Sequence, residues 1–307
     1  MAATGTVRVR DLRRSFGPIQ AIDGVTFEVL PGEIFAIVGP DGAGKTTLIR
    51  LLCGAISPDS GEAVVAGADV VRDAETLKTR VGYMPQRFSL YPDLTVNENL
   101  QFYGDIFSVP RARFRERSQE LLGDFSLAPF GDRLAEQLSG GMKQKLALAC
   151  TLIHEPVVLL ADEPTAGVDP VSRRQFWRIL YEINRQGTTI VVTTPYMDEA
   201  ERALRVAFLD GGRIVSCGTP DELKDELEGD VVEVVCGARA KAKSVLRGDP
   251  LVRSVEIFGE SLHALVTSAA AAIPDLEGRL AAAGIPDARL RRVPPSLEDT
   301  FVARMSA

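Results

Sequence analysis

The sequence has no uninterrupted apolar run near the ~20 residues that cross a bilayer, so any work at a membrane falls to a partner. Its opening, MAATGTVRVRDLRRSFG, lacks the apolar stretch of a secretory signal peptide. It has only two histidines (His154, His263) and four cysteines (Cys53, Cys150, Cys217, Cys236). The cysteines are scattered without a C-x-x-C pair, which suits a reducing cytosol and gives no hint of a metal site. An excess of basic residues is missing too: the net charge of −7 sets aside a general nucleic-acid binder. The remainder is ordinary globular composition, 45% hydrophobic and 25% charged over 307 residues. That suffices for two domains, or for one large domain with a small appendage.

The strongest local signal is EIFAIVGPDGAGKTTLIRLLCG. Ile34–Val38 is an apolar run suited to a buried parallel strand. Gly39, Pro40, Asp41, Gly42, Ala43, Gly44, Lys45 and Thr46 fit G-x-x-x-x-G-K-[ST], and Thr47 follows. Leu48, Leu51 and Leu52 then mark one face of a helix over Thr46–Cys53, with Gly54 as its stop. Strand, glycine loop and helix are the context this motif requires. Glycines let backbone N–H groups turn inward around a polyphosphate, and the helix start adds partial positive charge. In that setting Lys45 reaches the β- and γ-phosphates and the Thr46 hydroxyl ligates Mg²⁺.

A second acidic site follows in PVVLLADEPTAGVDP. Val157–Leu160 reads as another buried strand, with Asp162 and Glu163 at its carboxyl end, the edge where α/β sheets bind ligands. Asp162 suits the magnesium shell, and Glu163 suits orienting or deprotonating an attacking water. A helix cap or a solvated turn is the plainer reading of either acid alone.

Between them stands QLSGGMKQKLALACTLIHEP, and here the motifs together resemble the nucleotide-binding subunit of ATP-binding-cassette (ABC) transporters. The resemblance covers about residues 5–225, in the family's order: phosphate loop, Gln86 in VGYMPQ, Leu138–Gly141 as LSGG, Asp162-Glu163, and Asp169 in AGVDP. It implies an α/β P-loop NTPase cassette, a RecA-like core with a helical subdomain at about 87–150, binding ATP and Mg²⁺. It also implies that two cassettes sandwich two ATP molecules, with Ser139, Gly140 and Gly141 of one facing the γ-phosphate held by the other. Ser139 can cap the helix starting at Gly140 in either case. Met142 departs from the glutamine that usually ends the signature, past the glycines. Asp169 with Pro170 reads as a helix cap, opening a helix buried through Phe176, Leu180 and Ile183; the family adds contact across the dimer. Phe16 aligns with the aromatic on which the family stacks adenine, although a lone Phe is often only core. Gln86 aligns with the glutamine that reaches Mg²⁺ and the attacking water.

One position breaks the pattern. In VVTTPYMDEA the strand Thr188–Thr194 should end in the family's γ-phosphate histidine, and Pro195 stands there. Proline has no side-chain donor and no N–H. His154, expected in a surface loop or at a helix end, and His263 are elsewhere in the sequence; Thr194 or Tyr196 could offer a hydroxyl instead.

In the arm, Thr95-Val-Asn-Glu98 is a capping box, and arginines 111, 113, 115 and 117 read most simply as a solvated face beside anionic neighbours, with lipid binding as the weaker alternative. From residue 229 to 307 the pattern βαββαβ suggests a small α+β ferredoxin-like domain, leaving 1–228 as the ATP-binding domain. The tail PPSLEDTFV resembles single-cassette exporters of the drug-resistance (ABC-2) type. The resemblance thus implies the energy-coupling ATPase of an exporter of drugs, lipids or other hydrophobic compounds. Such a subunit lies in the cytoplasm against the inner face of the membrane, with a membrane-spanning permease and a second cassette as partners and no nucleic acid. Pro195 keeps open a cassette with little hydrolysis of its own, working beside a complete one. Cassettes of DNA repair or translation usually carry long insertions or two cassettes in one chain, and neither is present.

Overall fold

The computed structural model describes residues 5–87 and 90–305; residues 1–4 of the opening lie outside them. The chain divides into two compact units, Met1–Cys217 and Gly218–Ala307. No helix among the described residues is long and apolar enough to cross a membrane.

The first unit opens with β1 (Val7–Phe16) and β2 (Ile19–Val29), an antiparallel pair. Alternating residues point inward, Val7, Val9 and Leu12 from one strand and Val25, Phe27 and Val29 from the other. β3 (Ile34–Val38) is buried at every residue, as an apolar run in a parallel sheet should be. After it come α1 (Lys45–Leu52), β4 (Ser60–Val65) and β5 (Ala68–Asp69), the last two completing a sheet of order β2-β1-β4-β5. α2 (Ala74–Arg80) and β6 (Val81–Met84) lead into the arm, whose helices are α3 (Val96–Ile106), α4 (Arg111–Asp124) and α5 (Gly140–Leu152). The α3 capping box forms as read, with Glu98 N–H donating to the Thr95 hydroxyl at 3.2 Å and Thr95 N–H to the Glu98 carboxylate at 2.8 Å. Arg113 pairs with Glu116 and Glu155, and Arg117 with Glu120, so these two meet anionic neighbours, but Arg117 is largely covered rather than solvated, its side chain 12% exposed.

β7 (Val158–Asp162), α6 (Pro170–Arg185), β8 (Thr189–Thr194), the short α7 (Met197–Ala200), β9 (Arg205–Asp210) and β10 (Arg213–Gly218) follow. The larger sheet has the order β10-β9-β3-β8-β7-β6, and β9, β3, β8, β7 and β6 run parallel. Their carboxyl ends therefore share one edge. Val38 pairs with Thr194, and Asp162 with Thr193, so the glycine loop, the two acids and Pro195 leave the sheet at nearly one level. β6 delivers Gln86 to the same edge, two residues past its end. This register is what assembles the site.

The second unit starts earlier than the expected 228/229 boundary, because α8 (Pro220–Asp225) packs on the final helix α11 (Leu297–Met305). Between these lie β11 (Asp230–Val235), α9 (Arg239–Arg247), β12 (Val252–Phe258), β13 (Ser261–Val266), α10 (Ala269–Ala282) and β14 (Arg289–Val293). The antiparallel order β12-β13-β11-β14 is that of a ferredoxin-like split unit. Val232, Val234, Leu262, Leu276 and Leu280 fill its core. His263 Nδ1 lies 2.8 Å from Asp299 of α11, within the second unit.

Candidate functional site

The loop after β3 wraps a cleft of about 370 Å³, lined by Asp41, Gly42, Gly44, Lys45, Thr46 and Thr47, together with Gln86 and Glu163. Backbone geometry explains why glycine stands at its turn. Gly44 precedes α1 at φ 106°, and a Cβ there would come within 2.4 Å of the Ala21 carbonyl. Gly39 and Ala43 are buried beneath the loop, and Pro40 is exposed at its crest. The start of α1 carries no acidic residue, so its N–H groups remain available to an anion.

Charges across the cleft are paired with each other. Lys45 Nζ stands 3.1 Å from Glu163 Oε1, both side chains nearly inaccessible, and also donates to the carbonyls of Gly39 (2.8 Å) and Pro40 (3.1 Å). Gln86 Nε2 donates to the other Glu163 oxygen at 2.9 Å. Glu163 itself adopts φ 46°, a left-handed conformation uncommon for a residue with a side chain. Its N–H donates to the Thr193 hydroxyl at 2.9 Å, which in turn donates to Asp162 Oδ1 at 2.8 Å. Thr193 thus orients both acids from the neighbouring strand.

Asp162 meets the requirements of a cation site. It has no exposed surface, and its Oδ2 is buried with no hydrogen-bond partner. Burial raises its pKa, against opposing hydrogen bonds from Thr193 and Thr46; the charge of Glu163 adds to the rise. A buried Asp162 oxygen without a partner, with the Thr46 hydroxyl close by, supplies hard oxygen donors of the kind Mg²⁺ takes. The residues present therefore fit the ion.

The remaining expected residues are placed as follows. Phe16 is 44% exposed rather than core, and the Arg14 guanidinium covers its ring at 4.9 Å from the centroid. Ser139 caps α5, its hydroxyl accepting from Met142 N–H at 3.3 Å, and Asp169 caps α6, accepting from Val171 and Ser172, each at 3.0 Å. Neither cap, nor Gly140 or Gly141, lines the phosphate cleft of their own chain. Gly141 is needed for packing within the chain, since a Cβ would sit 2.7 Å from the Ser172 hydroxyl, whereas Gly140 faces open space. That opening suits approach by another molecule.

Pro195 forms the bend after β8. Of the two hydroxyl substitutes, Thr194 fails for a physical reason. Thr194 is fully buried and donates its proton to Glu199 at 2.8 Å, so its hydroxyl is already committed; the Tyr196 ring lies under the Arg173 guanidinium at 4.1 Å, which leaves its hydroxyl as the remaining alternative. His154 stands at a helix end, in the turn just after α5. It is half-buried and stacked on Phe107 at 3.8 Å, and burial lowers its pKa to about 4. Sequence reading missed Arg173 and Glu199, whose spacing carries no motif, and the Lys45–Glu163 pair, which only the sheet register creates.

A family profile described as "ABC transporter" matches residues 22–166. The chain is 42% identical over 273 residues to the probable multidrug ABC transporter ATP-binding protein YbhF of Escherichia coli (strain K12), covering 88% of this chain and 46% of that protein. It thus spans about half the length of that relative. It is 37% identical over 304 residues to the daunorubicin resistance ATP-binding protein DrrA3 of Streptomyces coeruleorubidus, covering 98% of this chain and 96% of that one. Among solved structures, a dimeric ATP-binding cassette in a post-hydrolysis state with ADP and Pi matches with a TM-score of 0.63 and 27% identity, over 69% of this chain and 98% of that one.

Proposed function

The chain belongs to the ABC transporter family as an ATP-binding subunit, and from that premise we propose that it powers export of drugs, lipids or other hydrophobic compounds through a membrane-spanning permease. Its activity is ATP hydrolysis, and such subunits dimerise and work with permeases. The observation that carries the reading is the convergence of Lys45, Gln86 and Glu163 on one glycine-walled cleft beside a buried carboxylate with a free oxygen. The comparisons favour this motor over a cassette with little hydrolysis of its own.

The chemistry follows from the charges. On ATP entry Lys45 exchanges Glu163 for β- and γ-phosphate oxygens. Glu163, released, accepts a proton from the attacking water, and Gln86 orients that water. Asp162, Thr46 and Gln86 would hold Mg²⁺, which neutralises phosphate charge. Phe16 offers its uncovered face to adenine. Ser139, Gly140, Gly141 and Asp169 act on the nucleotide of a second cassette, a role consistent with none of the four lining the phosphate cleft of its own chain.

A groove of about 420 Å³ supports the permease contact. Gln86, Leu90, Pro92, Gly140 and Lys143 are among its lining residues, so one surface touches both the water-orienting glutamine and the signature helix. A short permease helix seated there would sense both, at the inner, cytoplasmic face of the membrane. The differential affinity of ATP for the closed pair then drives the linked permease. Calorimetry with MgATP, and ATPase rates with and without the co-purified permease, test the reading. Uptake is expected to vanish in Lys45→Ala and turnover to rise with the permease. Unchanged uptake in that variant overturns the assignment.

A further inference from the structure

Behind the cleft lies a carboxylate with no contact with water. Glu199, in α7, is 0% exposed. Its Oε1 accepts the Thr165 hydroxyl at 2.6 Å and its Oε2 accepts the Thr194 hydroxyl at 2.8 Å. Arg173 Nε stands 3.3 Å from Oε1. A buried carboxylate is tolerated when its oxygens are satisfied and its charge is countered, and two hydroxyls and a guanidinium do both here.

The position of the partners gives this cluster its meaning. Thr165 lies two residues past Glu163, on the loop that runs to Asp169. Thr194 ends β8, directly after the Thr193 that holds the Glu163 backbone and directly before Pro195. Arg173 is in the first turn of α6; its N–H donates to the Asp169 carbonyl at 2.9 Å, and its guanidinium covers Tyr196. Glu199 thus ties together the acid loop, the turn at Pro195 and the start of α6. Proline itself brings neither a side-chain donor nor an N–H to hold this turn. The turn is otherwise tied by the Tyr196 N–H donating to the Thr194 hydroxyl at 3.1 Å, by the Tyr196 carbonyl accepting from the Glu199 and Ala200 N–H groups, each at 3.2 Å, and by the stacking of Arg173.

We propose that Glu199 is a positioning residue for ATP hydrolysis, holding the Glu163–Asp169 loop against the 194–196 turn so that the Glu163 carboxylate keeps its aim at the attacking water. It touches neither nucleotide nor water. Its effect is on orientation, so it belongs in the rate of the chemical step and not in nucleotide affinity. The inference rests on the reading of Glu163 as the residue that activates water.

The test uses the full chain, comparing Glu199→Gln, Thr165→Val and Thr165→Ser with Glu163→Gln. For each, kcat is measured together with the MgATP dissociation constant and the thermal midpoint. Glu199→Gln is expected to lower kcat between ~10- and 100-fold with the dissociation constant within ~2-fold of the parent. Thr165→Val, which removes one hydroxyl and leaves the buried charge paired with Arg173, is expected to lose roughly tenfold in kcat, and Thr165→Ser to restore it. Should Glu199→Gln fail to fold, the Val and Ser pair decides alone. Parental kcat in Thr165→Val and Glu199→Gln beside an inactive Glu163→Gln overturns this inference only. Loss of affinity in parallel with kcat, or failure of serine to rescue, also overturns it, by making the cluster merely structural. An active Glu163→Gln removes the premise and this inference with it.

Discussion

Replacing Glu163 with glutamine should separate binding from chemistry, and the structure sets the sign of each effect. In the empty site Lys45 Nζ is 3.1 Å from Glu163 Oε1, both groups being almost fully buried. At an effective dielectric of ~20, opposite charges at that distance attract by about 5 kcal/mol. The cost of removing both from water offsets most of this, so a net value of ~1–3 kcal/mol is reasonable. Incoming phosphates must break that pair to engage Lys45, and the carboxylate also repels their negative charge. Glutamine keeps the shape and an acceptor for Gln86 but removes the charge, so both terms favour the variant. We expect MgATP to bind Glu163→Gln at least ~10-fold more tightly, a difference of about 1.4 kcal/mol. Turnover should fall ~10²–10⁴-fold with loss of the general base. Calorimetry reads the first and steady-state phosphate release the second. Weaker binding, or turnover within a factor of ~3 of the parent, refutes the reasoning.

Pro195→His tests the missing donor: at a position level with the glycine loop and the two acids, a histidine should raise kcat, by up to ~10²–10³ if it supplies a full transition-state donor. An unchanged rate would mean that the turn makes no contact with the γ-phosphate. His154 predicts a stability slope. Its folded pKa of about 4 lies below the ordinary value, so the unfolded chain takes up the proton first. Stability is complete above pH ~6.5 and declines as the pH falls toward 4, by an amount on the order of 3 kcal/mol. His154→Phe keeps a ring against Phe107 and cannot titrate, so its melting temperature should fall less over this window; an identical slope in both proteins rejects His154 as the cause.

Much of the cassette was legible because its signals are local. A glycine loop needs glycine at Gly44 whatever surrounds it, and the Thr95–Glu98 box, the Ser139 cap and the Asp169 cap are satisfied within one turn of their own helices. The boundary of the second unit was less legible. α8 looks like a continuation of the first unit in sequence and belongs to the second only because α11, far along the chain, supplies its packing surface. The Thr194 fallback for Pro195 failed for the same kind of reason: nothing near Thr194 in sequence reveals that its proton is committed across the fold with Thr165 and Glu199.

The amino-acid order by itself determined which groups can grip phosphate, which acids follow a buried strand, and that a βαββαβ run follows residue 229. Those properties depend on neighbours a few residues apart. Tertiary structure alone decided that Lys45 rests on Glu163, that Thr193 aims two acids, and that Glu199 is sealed behind the turn at Pro195. Each of these is set by the parallel register of β3, β8 and β7, a pairing between segments more than a hundred residues apart for β3 and β8, which no local pattern encodes.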